Sequence, residues 1–274
     1  MDRIPVSVVI IAKNEEDCIG KCLASVTGWA DEVIVIDDYS SDRTVEIVRS
    51  FGATVFQRKM ENEGRHRNWG YAKARNAWVL SLDADEQASP ELKDEIDRVL
   101  PAAACQAFAL PMKTYIGDYW VRYAGWFPAR KIRLFLKDRC RYEEVEVHPR
   151  PILDGTEQPL NGWIEHYGYP DFEHLFAGVN RQSTLEAQKW LRTGRSVTGG
   201  MVVRRTVDRF MRSYIRKRGF KDGLVGFVIA LCASLYQIFS YAKYWELKRN
   251  AAAGTTPVPA PTAEPKTDIQ GATP

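Results

Sequence analysis

WVLSLDADEQ, residues Trp78–Gln87, is the stretch that decides how this chain is read. Its first five residues, Trp78 to Leu82, have the length and apolar content of a buried strand. They run straight into Asp83, Asp85 and Glu86. Carboxylates at the tip of a core strand are costly unless something positive meets them. In an open parallel α/β sheet, however, that tip is where ligands bind.

The flanking sequence has the pattern of such a sheet. Upstream, Val6–Ala12, Glu32–Ile36 and Thr54–Phe56 read as strands. Between them, Glu15–Val26, Arg43–Phe51 and Arg65–Asn76 read as helices, the second capped by Ser41 or Asp42. Downstream, Ser89 caps a helix with Pro90 in its first turn and Glu91–Leu100 as its body. Strands alternating with helices predict a parallel sheet with helices on its faces. Beyond Pro101 the reading is Ala107–Tyr115 and Lys131–Leu136 as strands, then a helix over Asp171–Leu191. RYEEVEVHPRP alternates strictly, which predicts a strand with Tyr142, Glu144, Glu146 and His148 on one face.

Acids recur at strand ends: Asp37 and Asp38 after the second strand, Asp83 and Asp85 after the fourth. Asp-x-Asp alone fits a solvated turn, and DDYSSD alone fits a helix cap. Their co-occurrence at successive strand ends favours a divalent ion carrying a diphosphate between them, since Mg²⁺ and Mn²⁺ take carboxylate and phosphate oxygens. An acid on the second strand also suits a base N–H or a ribose hydroxyl.

Composition narrows the class. The 274 residues are 45% hydrophobic and 27% charged, enough for a sizeable core. The net charge of +3 does not argue for nucleic acid. Five scattered cysteines give neither a zinc pattern nor a disulfide framework and point to a reducing compartment. Val6–Ala12 is too short for a secretory signal. Charge is concentrated instead in Arg204–Lys221, with eight basic residues against Asp208 alone. There Val203, Val207, Phe210, Met211 and Tyr214 form an apolar stripe, a basic amphipathic helix. Leu224–Ala242 follows as 19 residues without a charge. That is about 28 Å of helix, borderline for a bilayer. Ser234, Gln237 and Tyr241 on one side, and basic residues at both ends, favour a helix lying in the interface; packing on the rest of the protein is the alternative.

SVVIIAKNEE, DEVIVIDDYSSDRT, Arg67-Asn68 and WVLSLDADE, in that order, resemble glycosyltransferase family 2, the inverting transferases of GT-A fold. KIRLF, EVHP, HYGYPDFEHL and the closing KRGFKDGLVGFVIALCASLYQIFSYAKYWE are similar to its lipopolysaccharide-core glucosyltransferase branch. The resemblance implies an α/β, Rossmann-like, mostly parallel GT-A sheet with helices on both faces, plus C-terminal membrane-associated helices. The expected division is a catalytic domain over 1–195, membrane-associated helices over 196–249, and a disordered tail over 250–274.

The resemblance also implies a UDP-sugar donor and Mg²⁺ or Mn²⁺. Carried over by position, Glu15 and Asp38 contact the nucleoside with help from Asp37, and Arg67 belongs to the donor site. Asp83 holds the ribose or sugar side and shares the metal with Asp85, its main ligand. Arg133 is a candidate for the leaving phosphate, or a surface ion-pair residue. The branch has His-Glu where this chain has His148-Pro149. Glu146, then Glu144, are therefore the expected bases, and His148 a positioning residue. His66 and His174 read as surface residues. Tyr119, Trp120, Tyr123, Trp126 and Phe127 line an acceptor groove, or belong to the core or a membrane contact.

The expected activity is transfer of a sugar, favouring glucose, to a lipid-linked glycan such as the lipopolysaccharide core. It is expected at the cytoplasmic face of the inner membrane, as a peripheral or monotopic protein on an anionic surface. Transfer to polyprenyl phosphate is the enzymatic alternative; a non-catalytic nucleotide-sugar-binding scaffold is the other. A sugar nucleotidyltransferase is disfavoured, because AKNEED is not a Gly-rich, Lys-containing loop. The oligomeric state is left open.

Overall fold

The β-branched run at the start of the chain forms β1 (Ile4–Ala12) in the computed structural model, which describes residues 3–145 and 149–253. Two compact units divide the chain. The first holds the residues up to Lys113 together with Ala129–Tyr167. After β1 come α1 (Ile19–Ala24), β2 (Ala30–Asp37), α2 (Thr44–Ser50), β3 (Thr54–Gln57), α3 (Glu63–Tyr71), β4 (Trp78–Asp83), β5 (Glu86–Ala88) and α4 (Pro90–Val99). Then follow β6 (Ala107–Ile116), β7 (Tyr119–Trp120), β8 (Ala129–Leu136), β9 (Cys140–Tyr142), β10 (Pro151–Leu153), β11 (Glu157–Pro159) and β12 (Ile164–Tyr169).

The main sheet runs β3-β2-β1-β4-β8-β6-β12-β5. Its first four strands are parallel, and β8 joins β4 antiparallel. β1 is central and apolar on both faces, as a strand covered on both sides must be. One face packs against Ile19 and Leu23 of α1, Val48 of α2 and Leu92 and Ile96 of α4. The other packs against Tyr71 of α3. The register places Ala12 beside Asp37 and Ile11 beside Asp83, so the acidic tips of β2 and β4 reach the same edge.

Two expectations for this unit change. α3 begins earlier than Arg65, because the Asn62 side chain accepts from Arg65 N and caps it. It ends at Tyr71, because Arg75 and Asn76 turn away to bond Asp31, Glu32 and Ser7. The strand expected across RYEEVEVHPRP stops at Tyr142. Both polar main-chain atoms of Tyr142 are taken by the Asn68 side chain (Nδ2 to O 2.9 Å, N to Oδ1 2.7 Å), which ends the ladder. Glu143 N then bonds Arg150 O, and β10 returns antiparallel to β9. Glu146, Val147 and His148 lie outside the described residues.

The second unit joins Thr114–Pro128 to the chain from Gly168 onward. It divides the sequence differently from the expected boundary at 195. The reason is its own core: Ile116, Val121, Ala124 and Trp126 pack with Tyr169, Leu175, Val179 and Ile229. Trp126 is thus a core residue, while Tyr119 is exposed. The helices are α5 (Phe172–Arg192, capped by Asp171), α6 (Gly199–Phe210) and α7 (Gly223–Ala252). A π turn over Met211–Arg216 and a 3₁₀ turn over Gly219–Asp222 join the last two. Residues 250–252, expected in the tail, continue α7; the tail from 254 lies outside the described residues. Lys243 Nζ bonds Asn180 O, Ser183 Oγ and Thr184 Oγ1 at 2.6–2.8 Å, which fastens α7 along α5.

Candidate active site

The tips of β1 and β2 are stitched together before any ligand is considered. Asn14 and Tyr39, both at positive φ, turn the two chains out of the sheet. Asn14 Oδ1 accepts from Ser41 N, and Asn14 N donates to Ser40 Oγ. Asp37 is fully buried, and its carboxylate takes Ser40 N (3.1 Å), Ser40 Oγ and Gln57 Nε2 (3.0 Å). Asp38 takes Lys13 Nζ on Oδ2 (3.0 Å) and Met60 N on Oδ1 (2.9 Å). Glu15 is half-buried, and its N–H donates to Thr44 Oγ1.

Past Met60, a cavity of about 270 Å³ is lined by Arg58, Lys59, Glu61, Asn62, Arg65 and His66. His66 corrects an expectation: it is 2% exposed, not a surface residue. It lies on the buried side of α3, which starts two residues earlier than expected, and burial lowers its pKa. Its Nδ1 and Arg58 Nη1 are buried without a hydrogen-bond partner. His174 is half-exposed and caps α5 with Asp171.

At the tip of β4 the acids meet arginines. Asp83 Oδ1 bonds Arg67 Nη2 and Asp83 Oδ2 bonds Arg133 Nη2, each at 2.9 Å. Glu86, 0% exposed, bonds Arg133 Nη2 at 2.6 Å and accepts from Asp83 N. Arg67 also holds Glu63 at 3.0 Å. Burial would raise the Asp83 carboxyl, but the charges of Arg67 and Arg133 hold it well below the usual range. Burial and the Asp83 charge push Glu86 up, against the pull of Arg133. Arg133 is 4% exposed, so it is neither a surface residue nor idle: its guanidinium fixes the turn after β4. Behind that turn the Cys22 thiol donates to Asp83 O, and burial followed by the charge of Glu86 raises its pKa.

Asp85 differs from its neighbour. It is 7% exposed, and its Oδ2 is buried with no hydrogen-bond partner. His166 Nε2 lies 3.5 Å from that oxygen, and Tyr167 N donates to Asp85 O, which ties β12 to the acidic turn. Burial would lower the His166 pKa, but the Asp85 carboxylate raises it. Among the described residues no group of three or more His, Cys, Asp and Glu forms a metal cage. Asp85 Oδ2 and His166 Nε2 are side-chain atoms on this edge that could hold a divalent ion, with further oxygens supplied from outside the protein. Asp83 accepts one arginine N–H on each oxygen, which leaves each a second lone pair. Arg67 Nη1 and Arg133 Nε are buried nearby without partners.

His166 is the residue that the sequence reading missed. Its signal was an imidazole in register with buried Ile164 and Gly168 on a short strand, a pattern visible only once the strand is recognised. Of the expected bases, Glu144 is exposed and pairs with Arg65 at 3.3 Å. It is not on a strand, and Glu146 lies outside the described residues. The chain around them presses on α3: Gly64 N bonds Val145 O, and Asn68 clamps Tyr142.

Comparison with known proteins gives this arrangement a context. Residues 7–138 match the family model for glycosyl transferase family 2. An uncharacterized glycosyltransferase of Rickettsia typhi is 29% identical over 260 residues, covering 89% of this chain and 86% of its own. The lipopolysaccharide core biosynthesis glycosyltransferase LpsC of Rhizobium meliloti is 23% identical over 252 residues, covering 89% and 93%. The crystal structure of S. aureus TarS 1–349 aligns over 93% of this chain and 92% of its own, with 14% identity and a TM-score of 0.47.

Proposed function

We propose that this chain, which carries a glycosyl transferase family 2 domain, is an inverting, metal-dependent transferase that moves a sugar from a UDP-sugar to a lipid-linked glycan. Glucose is the favoured sugar and the lipopolysaccharide core the favoured acceptor; the name of the Rhizobium meliloti relative supports that acceptor class. The observation that carries the reading is the buried, unpartnered Asp85 Oδ2 beside His166, on the edge where β2 and β4 end.

Asp38, Glu15 and the cavity lined by Arg58 and His66 suit the nucleoside end: one free donor and one free acceptor match the edge of a base. Arg67 and Arg133 keep unused N–H groups for phosphate oxygens while holding Asp83 in place for the ribose or sugar side. Asp85 and His166 are the residues that would hold Mg²⁺ or Mn²⁺. When bound there, the ion neutralises charge on the departing diphosphate. An acceptor hydroxyl attacks the anomeric carbon from the face opposite UDP. The C–O bond to UDP breaks, its electron pair leaves with UDP, and the hydroxyl proton passes to a carboxylate base. Glu146 is the proposed base and Glu144 the alternative. The acceptor's lipid anchor puts the reaction at the cytoplasmic face of the inner membrane.

Transfer to polyprenyl phosphate is the second reading, favoured by the Arg65 pairing of Glu144, since a phosphate acceptor needs no strong base. UDP release from a panel of UDP-sugars, with Mn²⁺ and membrane lipid extract, tests both. Glu146→Gln is expected to lower kcat by about 10²–10⁴ with a glycan acceptor and to change little with polyprenyl phosphate. Tight UDP binding with no turnover of any donor would return the chain to the scaffold reading.

A further inference from the structure

α7 is turned inside out for a helix of a water-soluble protein. Its polar residues Ser234, Gln237 and Ser240 are buried, and Lys243 is spent on α5. Its outward face carries Leu224, Phe227, Leu231, Ile238 and Trp245, exposed by 38–74%. Leu224, Leu231, Ile238 and Trp245 recur every seven residues, so they form one stripe along the helix. The preceding segment continues the theme. Val203, Val207, Met211 and Ile215 recur every four residues and are exposed by 46–65%, and Phe220 follows at 47%. The side carrying Ser234 and Gln237 is the packed side, and the apolar side is bare.

Scattered exposed apolar residues need no explanation, but an exposed apolar stripe on each of two successive helices that pack together does. Its surroundings identify the occupant. Arg204, Arg216, Lys217, Arg218 and Lys221 are exposed in the same segment, and Lys248 and Arg249 close the far end of α7. Apolar side chains flanked by cations complement the acyl boundary and the phosphates of an anionic leaflet.

We infer that the second unit sits half-sunk in an anionic bilayer through this stripe, with α7 lying in the plane of the membrane and not crossing it. α7 is one helix of sufficient length and apolarity to cross. Crossing is opposed by its partner: α5 carries Glu173, Arg181, Glu186, Lys189 and Arg192 and is fastened to α7 through Lys243. Drawing α7 through hydrocarbon means dragging those charges with it or breaking that packing. In-plane seating leaves α5 in water and lets the arginines reach headgroups. The inference deepens the membrane partner of the proposed reading and does not depend on the donor or the reaction.

The test uses the full chain and vesicles of phosphatidylcholine alone or with 30% phosphatidylglycerol. Sedimentation is expected to show binding to the anionic vesicles, weakened at least tenfold in high salt or in Arg204→Glu/Arg216→Glu/Lys221→Glu. Val207→Glu/Leu224→Glu/Leu231→Glu is expected to abolish it while keeping the thermal melt. Tags at the two termini, probed on membranes from expressing cells, are expected on the same side. Tags on opposite sides, or vesicle binding unchanged in the Glu triple variant, overturn the inference. So does a stable dimer that the Glu triple variant splits, with no vesicle binding by the parent chain. UDP release by the Glu triple variant from a soluble acceptor separates failure here from failure of the enzymatic reading.

Discussion

β2 and β4 both end in a pair of acids at one sheet edge, yet the two tips are built in opposite ways. At β2, Asp37 and Asp38 have their oxygens taken by Ser40, Gln57, Met60 and Lys13. These carboxylates brace the loops on which the proposed nucleoside end rests. At β4, Asp83 and Glu86 share arginines, while Asp85 keeps a buried oxygen with no partner. These carboxylates are the ones to which the proposed metal and phosphate roles fall. The difference lies in what surrounds each tip: hydroxyls, amides and one lysine around β2, guanidinium groups from α3 and β8 around β4. A strand tip rich in acid is therefore ambiguous until each oxygen is accounted for.

The comparison breaks first at Arg133. Arg133→Met leaves Asp83 and Glu86 buried with half of their compensation gone, a loss expected at about 3–5 kcal/mol in urea unfolding. A change within experimental scatter would mean the β4 tip is no more arginine-dependent than the β2 tip. Asp85→Asn comes next, in the opposite currency. Turnover should fall on the order of a hundredfold to a thousandfold, as expected when several kcal/mol of charge stabilisation is lost. The melting temperature should fall only modestly, by the loss of the His166 ion pair, because Oδ2 accepts no closer hydrogen bond. Calorimetry with Mn²⁺ should show binding reduced in this variant and in His166→Ala.

Asp37→Asn should do the reverse of Asp85→Asn, removing about 1–3 kcal/mol of stability while kcat of the folded protein changes little. The smallest effect is a slope with pH. The folded pKa of His166 is raised above its unfolded value, so its stabilising pairing with Asp85 is complete below about 6.5. That contribution is lost as pH rises through the folded value. Unfolding free energy measured from pH 6 to 9 should carry this decline in the parent chain and lose it in Asp85→Asn.

Much of the β1–β4 half was legible before the structure. Periodicity alone separates Val6–Ala12 and Trp78–Leu82 from their helices, and Ser89-Pro90 announces α4 in both its cap and its first turn. The edge bearing Asp38, Asp83 and Asp85 followed from strand direction. What stayed hidden depends on partners distant in sequence. Asn68 ends β9 by standing in for a neighbouring strand, which no alternation pattern around Glu144 reveals. His166 reaches Asp85 from β12, whose sequence IEHYGY has neither an apolar run nor a clean alternation. Likewise, the outward side of α7 is set by where α5 lies; hydropathy gives the stripe but not its direction.

Gly64 has a consequence of a different kind. A Cβ there would overlap the carbonyl oxygen of Glu143 and crowd Pro149, so the first turn of α3 and the chain leading to Glu144 and Glu146 ride on each other without a gap. The same helix carries Arg67, which grips Asp83, and Asn68, which grips Tyr142. α3 thus ties the end of β4 to the end of β9 through one short helix. A side chain at position 64 would therefore disturb two segments distant in sequence at once, the chain at Glu143 directly and the Asp83 turn through Arg67.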